Sequence, residues 1–315
     1  MADRTERRAG RSWDAWLVAG AVGVAGLLGL HSAVPNGVGR LGSLLETFLP
    51  WLGVAVPLLG CLAALRRSKA GLLACLAPVA VWFWMFGGLW FSSPPEPYDL
   101  RVVQHNVADD NSDRSGTARA LLATGAELVA VEELTPSARP AYQEVLGASR
   151  PHRAVHGTVG LWSAWPLSDV RPVDIRPEGF PESWQRGLRA TVSAPGGAVA
   201  VYVVHLPSVR LGPTGLTSAA RDESAALLGA RIADDPAGRL LVVGDLNGTV
   251  QDRGLGPLTS QLDAPPSGFA FSWPAAFPVA RIDQVLGRGA EVTEVSALEA
   301  TGSDHLPVLG RVRLG

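Results

Sequence analysis

The feature that most limits what this chain can fold into is a sharp change of composition near Pro94. Before it lie three apolar stretches, residues 13–31, 43–65 and 70–91; after it the sequence alternates in the manner of a water-facing protein. Each stretch is close to the roughly 20 residues that a helix needs to cross the hydrocarbon core of a bilayer. Their central runs are uncharged except for Glu46 near the start of the second, and Trp13, Trp16, Trp51 and Trp90 sit at or near their ends, where an amphipathic ring favours the membrane interface. A cleaved signal peptide is the alternative for the first stretch, which follows a basic segment. It runs long, however, lacks a clear small-x-small cleavage site and precedes two further stretches. The expectation is a membrane anchor over residues 1–92 with three transmembrane helices. With no Asp, Lys or Arg at mid-depth, anchoring is a better expectation than transport.

Orientation follows from the basic residues. Arg4, Arg7, Arg8 and Arg11 precede the first span, and Arg66, Arg67 and Lys69 form the turn between the second and third, whereas the loop between the first two carries only Arg40. The positive-inside bias puts the N-terminus in the cytoplasm and everything after Phe91 outside, at a cell membrane. The SSPPEP run within residues 92–99 reads as a short, stiff linker, so the expected parts are an anchor (1–92), a linker (93–99) and an extracytoplasmic domain (100–315). Cys61 and Cys75, both in the apolar third, read as packing or lipid-facing residues. The net charge of −2 supplies no basic field for nucleic acid, and no stable nucleic-acid partner is expected. Lys69 is the one lysine of the chain, a bias expected of a GC-rich genome.

From Leu100 the pattern is one of many strands and few helices. Strands are predicted at 100–105, 128–131, 157–162, 188–192, 198–204, 240–243, 281–286 and 306–312, and helices at 113–124, 136–146 and 217–233. The last helix is expected to start at a Thr or Ser cap with Arg221, Asp222 and Glu223 on its wet face. Strands joined by Gly/Pro turns suggest two packed sheets flanked by helices.

Several strand ends present polar groups. LLVVGDLN reads as a buried strand that stops at Gly244 and offers Asp245 and Asn247, an anion and a neutral donor two residues apart. RVVQHN ends in Asn106, ELVAVEE in Glu132 and Glu133, and VYVVHL in His205; RID carries Asp283, and SDH carries Asp304 and His305. Alternation sends Glu132 and Glu133 to opposite faces, so one of them is expected in a shared pocket. Taken singly, each has a plainer explanation: Asn106 a turn former, Glu133 a solvated charge, His205 a satisfied core histidine, Asp283 a partner of Arg281 or Arg288, SDH a polar turn. Together they supply a hard-cation site, a general base and phosphate donors.

The ordered run N…E…H…GDxN…RID…SDH, with GLWSAWPL at 160–167, resembles the endonuclease/exonuclease/phosphatase superfamily over about residues 100–314. That resemblance implies an α+β fold, a four-layer α/β/β/α sandwich (DNase I-like) with its active site at one end of the sheets. It implies Mg²⁺, with Mn²⁺ as a substitute, held by Glu133 with Asn106 beside it and Asp304 close by. It also implies that Asp245 and Asn247 lie under the scissile phosphate. His305, oriented by Asp283, is expected to contact the phosphate or act as base, and His205 to contact the phosphate or assist the leaving group. Whether Asp245 or His305 takes the proton from water stays open. Two positions depart from the pattern: Ala108 stands where many relatives have a carboxylate, with Asp109, Asp110 or Asn111 as substitutes, and Gln284 follows RID where many have an aromatic or His. Bulky nucleic-acid-binding insertions are missing. Arg150, Arg153, Arg186, Arg189 and Arg210 either line a phosphate cleft or are scattered surface arginines.

Three apolar helices followed by such an external domain are similar to the VanJ-type membrane proteins associated with teicoplanin resistance. That likeness implies hydrolysis of a lipid-linked phosphate or pyrophosphate of cell-wall synthesis. The alternatives are an extracellular nuclease or phosphodiesterase, a phospholipase C-like activity, and a non-catalytic membrane-binding module.

Overall fold

In a computed structural model the chain forms two compact units, Met1–Phe91 and Ser92–Gly315. The structure describes residues 2–90 and 97–315, the side chains of 2–11 excepted. Residues 93–96 of the expected linker and the side chains of the arginines before the first span therefore lie outside what the structure describes.

In the first unit, α1 (Ala2–Gly29) contains an apolar stretch, Ser12–Gly29, long enough to cross a membrane. The expected second span is bent. The helix α2 (Leu41–Thr47) meets the helical run Leu49–Leu65, which ends in α3 (Ala55–Leu65), at 71°. Pro50 accounts for the break: it has no N–H to give to the turn before it, and its ring crowds the carbonyl four residues back. The chain restarts as a 3-10 helix over Leu49–Val54. Glu46, in α2, is buried and lies 3.1 Å from His31 Nδ1, so the charge that stood out in the sequence has a partner. A second apolar stretch, Lys69–Trp90, comprises α4 (Lys69–Ala74) and α5 (Leu76–Trp90). Among the described residues two helices are thus long and apolar enough to span, and three only if the bent pair counts as one. Cys61 and Cys75 are both free thiols.

The second unit runs β1 (Leu100–Asn106), α6 (Arg114–Ala123), β2 (Leu128–Glu132), α7 (Arg139–Leu146), β3 (His152–His156), β4 (Val159–Ser163), β5 (Leu167–Pro172), β6 (Gly187–Ala194), β7 (Gly197–His205), a short hairpin of β8 (Leu211–Gly212) and β9 (Gly215–Leu216), α8 (Ala219–Ala233), β10 (Leu240–Asp245), α9 (Gly256–Thr259), β11 (Asp283–Arg288), β12 (Glu291–Ala297) and β13 (Val308–Arg313). One sheet has the order β12-β13-β1-β2-β4-β3, the other β11-β10-β7-β6-β5. Each contains one parallel pair, β1–β2 crossed over by α6 and β7–β10 crossed over by α8; the remaining pairings are antiparallel.

Alternation along the strands divides the core. Val102, Leu128, Ala130, Val201, Val203, Leu241 and Val243 pack between the sheets. Val103, Val129 and Val131 face Leu121, Tyr142 and Leu146 of α6 and α7, while Tyr202, Val204 and Val242 face Leu228 and Ile232 of α8. The result is a four-layer α/β/β/α sandwich. The predicted strand over 157–162 corresponds to β4, which starts two residues later because Gly157 (φ +54°) belongs to the turn between β3 and β4. The strands β3, β5 and β12 and the short β8–β9 hairpin were not predicted. The LSDVRP sequence of β5 is an exposed edge without an apolar face, and β12 is interrupted by a register shift between Val292 and Glu294. Ser218 occupies the cap position of α8, but its hydroxyl goes to Asp222 rather than to a backbone N–H. Arg221, expected on the wet face, is fully buried.

Candidate active site

Strand register brings the distant motifs together. Asp245, the last residue of β10, pairs with His205 at the end of β7 on one side and with Asp283 at the start of β11 on the other. In the facing sheet Asn106 pairs with Glu132 at the ends of β1 and β2. Both parallel units therefore end at the same place, where Asn106 Nδ2 donates to Asp245 Oδ2 across the two sheets at 3.1 Å. Gly244 permits this stop: at φ +137° a Cβ there would lie 1.9 Å from the Val204 carbonyl oxygen.

Asn247 points back over Asp245. Its amide donates to Asp245 Oδ2 (3.2 Å) and to the Leu206 carbonyl (2.9 Å), and its N–H donates to Asp245 Oδ1 (2.9 Å). His305 Nδ1 lies 2.8 Å from Asp283 Oδ2, and its Nε2 faces Asp245 Oδ2 at 3.8 Å. Asp283 makes no pair with Arg281 or Arg288, which bind backbone carbonyls instead. His205 Nε2 lies 3.5 Å from Asp245 Oδ2 and 3.9 Å from Glu133 Oε1. Asp304 stands at the rim, 70% exposed, with Oδ1 4.0 Å from His305 Nε2.

Both glutamates of the second motif reach this end of the sheets, contrary to simple alternation. Glu132 follows Leu128 and Ala130 onto the inner face and is fully buried, with neither carboxylate oxygen hydrogen-bonded. Glu133 has left the strand with φ +57°, a left-handed turn that carries its carboxylate into the pocket beside Asn106 Nδ2 (3.2 Å). Ala108 (φ +55°) and Asn247 (φ +48°) adopt the same conformation, unusual for residues with a side chain, so backbone strain gathers at the site. At Ala108 the turn lets the Asp109 N–H donate to Glu133 Oε2 (3.2 Å). Asn111 is taken up by Thr117 and the Thr301 carbonyl, and so does not supply the absent carboxylate.

Charge explains the rest. Burial favours the protonated form of Glu132, and Asp283 and Asp245 add to it, so its pKa lies well above the usual carboxylate range. Burial raises Asp245 to about 7 against the pull of His305. For Asp283 burial is overcome by His305 and by Ser272, which donates to it at 2.6 Å, and its pKa is lowered. Burial disfavours a charged His305, but Asp283 and Asp245 outweigh it and lift its pKa to about 10. His205 is kept neutral by burial and by Arg186. A buried carboxylate raised to about 7 beside two others marks a pocket short of positive charge, which a divalent cation supplies. Glu133, 28% exposed, and Asn106 offer oxygen ligands suited to a hard cation. Asp245, Asp283 and His305 also have ligand atoms within 4.8 Å of one another. There, however, Asp283 is already engaged by His305 and Ser272.

Three supporting residues were not picked out from the sequence. Ser303 Oγ donates to the Asn106 carbonyl (2.7 Å), Ser272 holds Asp283, and Arg221 donates to the Asn247 carbonyl (2.9 Å). Of the five arginines considered for a phosphate cleft, Arg186 is at the site. Arg150 and Arg153 bind Ala126 O and Gln143, Arg189 is buried against Asp235, and Arg210 is exposed. The placement of Arg186 just before β6, the strand paired with the His205 strand, was the available signal.

Paired mixed sheets between helical layers, with an Asp–His pair, an Asn and an isolated carboxylate at one end, define the DNase I-like class, metal-dependent hydrolases of phosphoesters. Residues 103–305 match the model of the Endonuclease/Exonuclease/phosphatase family, and the chain belongs to that family. Among solved structures, the fold is similar to Sphingomyelinase C from Streptomyces griseocarneus (17% identity, TM-score 0.53, covering 69% of this chain and 99% of that one). It is also similar to an endonuclease/exonuclease/phosphatase from Beutenbergia cavernae (20%, 0.53, 70% and 72%). A third is a beta toxin variant from Staphylococcus aureus with bound magnesium ions (15%, 0.52, 68% and 99%). Comparison with curated proteins gave no match.

Proposed function

We propose that the protein is a membrane-anchored, outward-facing, Mg²⁺-dependent phosphohydrolase acting on a lipid-linked phosphate or pyrophosphate of cell-wall synthesis. Such an activity is compatible with a VanJ-type role in glycopeptide (teicoplanin) resistance. The observation that carries this reading is the presence, in one chain, of helices able to cross a membrane and a phosphoesterase site joined to them by a short segment. Tethering raises the effective concentration of a membrane-embedded substrate, whereas an external nuclease gains little from such an anchor.

Glu133 and Asn106 would hold the cation, with Asp304 close to it. The ion would offset the negative charge that develops on the phosphoryl oxygens. Charged His305, fixed by Asp283, donates to a phosphoryl oxygen through Nε2, and Asn247 donates beside it. Asp245, with its pKa near neutrality, accepts the proton of the attacking water. Neutral His205 lies on the other side of Asp245 and serves the leaving oxygen.

Hydrolysis by the purified full-length protein should be measured as phosphate release from undecaprenyl pyrophosphate, strand cleavage of plasmid DNA and phosphocholine release from sphingomyelin, each with and without Mg²⁺. The expected result is Mg²⁺-dependent release from the lipid pyrophosphate, reduced by about 100-fold or more in Glu133→Ala and in His305→Ala. DNA cleavage without release from lipid would make the protein a nuclease. Unchanged resistance in cells carrying the Asp245→Asn/His305→Ala double variant would make it a binding module.

A further inference from the structure

The reaction as described gives Arg186 no contact with the phosphoryl group. Its guanidinium lies 3.1 Å from both ring nitrogens of His205 and 5.2 Å from the centroid of the Trp184 ring, and among the described residues it has no carboxylate within 4.0 Å. Arg186 is half-buried, and the fully buried guanidiniums of this unit are engaged: Arg189 by Asp235, Arg221 by Asp252 and Asp222, Arg281 by the Gly268 carbonyl. Arg186 instead faces Glu133, Asp245 and Asp109 from beyond contact distance while burial weakens its hold on its charge. A guanidinium offers five N–H donors in a planar fork, and a neutral imidazole accepts at one nitrogen. Donors remain unspent in a partly desolvated place, the usual provision for recognising a phosphate.

Its position specifies the ligand further. His305 stands by Asp283 on β11, Arg186 by His205 on β7, and Asp245 on β10 lies between them. At the usual strand spacing of ~4.8 Å, the strands of these two cation sites are about 10 Å apart. His305 and Asn247 already serve a phosphoryl group over Asp245, so Arg186 has a partner only if the ligand carries a second anionic group on the β7 side.

We propose that Arg186 binds a second phosphoryl group, so that the site selects a diphosphate over a phosphate monoester or an isolated phosphodiester. This rests on the reading of the site as a phosphohydrolase and assigns it a substrate class.

The test is calorimetric titration of the full-length, Mg²⁺-loaded protein with inorganic pyrophosphate, inorganic phosphate and a single-stranded oligonucleotide. The wild type is expected to bind pyrophosphate at least about tenfold more tightly than phosphate, and Arg186→Gln to lose roughly 10- to 100-fold in pyrophosphate affinity, the worth of a charge-assisted hydrogen bond. Phosphate affinity should be nearly unchanged in that variant, which also shows that it is folded, and Arg186→Lys should recover part of the pyrophosphate affinity. Equal loss for pyrophosphate and phosphate, no preference in the wild type, or an oligonucleotide affinity that falls by the same factor would overturn the proposal. If the wild type hydrolyses neither phosphoesters nor diphosphates yet gives the expected titrations, the phosphohydrolase reading fails and the subsite stands.

Discussion

Asp283 and His305 lie 2.8 Å apart where little water reaches them, and each sets the protonation of the other. In Asp283→Asn the largest attraction holding the proton on His305 is gone, and Asp245 and Asp304 alone oppose burial. In the metal-free protein the His305 pKa should therefore fall from about 10 toward the ordinary histidine value of ~6.5, followed by the ring C–H resonance in an NMR titration. A titration that does not move would assign the proton's stability to another group. Asp245 bears on the cation in the same way. With its pKa at about 7 it is half protonated near neutrality, and a bound cation must displace that proton. Mg²⁺ affinity should rise with pH up to and through about 7 and weaken below it. Because outer-shell ligand partners alone are worth 10–100-fold in metal affinity, Glu133→Gln should weaken Mg²⁺ binding by at least about 100-fold, and calorimetry without substrate checks it.

Two elements owe their placement to buried arginines. Arg221 of α8 donates to the Asn247 carbonyl and to Asp252 (2.5 Å), fastening the turn after β10 on which Asn247 sits. Arg221→Met leaves the Asp252 carboxylate buried and unpaired, a cost of about 3 kcal/mol or more; for a unit of this size that is a fall in Tm on the order of 10 °C. Thermal unfolding that matches the wild type would remove this tie from the fold. At the far end of α8, Asp235 accepts from Arg189 of β6 (3.0 Å) and from Tyr202 of β7 (2.6 Å). Burial opposes its ionisation, but Arg189 and Tyr202 hold its pKa down at about 2, below the unfolded value of 3.8. A depressed carboxylate stabilises the fold above its unfolded pKa. The contribution, about 2 kcal/mol, is therefore complete above pH ~4 and lost as pH falls toward 2. Asp235→Asn should flatten that part of the stability profile in acid denaturation. Neither tie was legible in the sequence. A charged residue between apolar neighbours on a helix reads as solvated because its partners arrive from other elements, and Arg221 was misread for that reason. The strand ends were legible, since Gly244 and the polar residues beyond buried runs mark where sheets stop. Left-handed backbone at Glu133 is what periodicity does not encode, and it brought a second carboxylate into a place where alternation allowed one.

At the scale of the molecule, the apolar first unit was readable from length and hydropathy alone, and the bend at Pro50 reduces the expected three continuous spans to two and a bent pair. The arginine distribution predicts an outward second unit. Protease added to intact cells should remove a C-terminal epitope and spare an N-terminal one, and protection of the C-terminus would reverse the orientation. Two packed sheets flanked by helices followed from many strands with few helices, whereas the pairing of two βαβ units at one end of the sheets depends on registers that no local pattern fixes. That convergence is the central claim: Glu133 and Asn106 from one sheet, and Asp245, Asp283 and His305 from the other, act on one phosphorus centre with one cation. Crystals of the protein with Mn²⁺ and phosphate, measured at the manganese absorption edge, test it most directly. The expected map has the anomalous peak bonded to the Glu133 carboxylate, with the phosphate within hydrogen-bonding reach of His305 and Asn247. Manganese away from Glu133, or phosphate held on another surface, would contradict it.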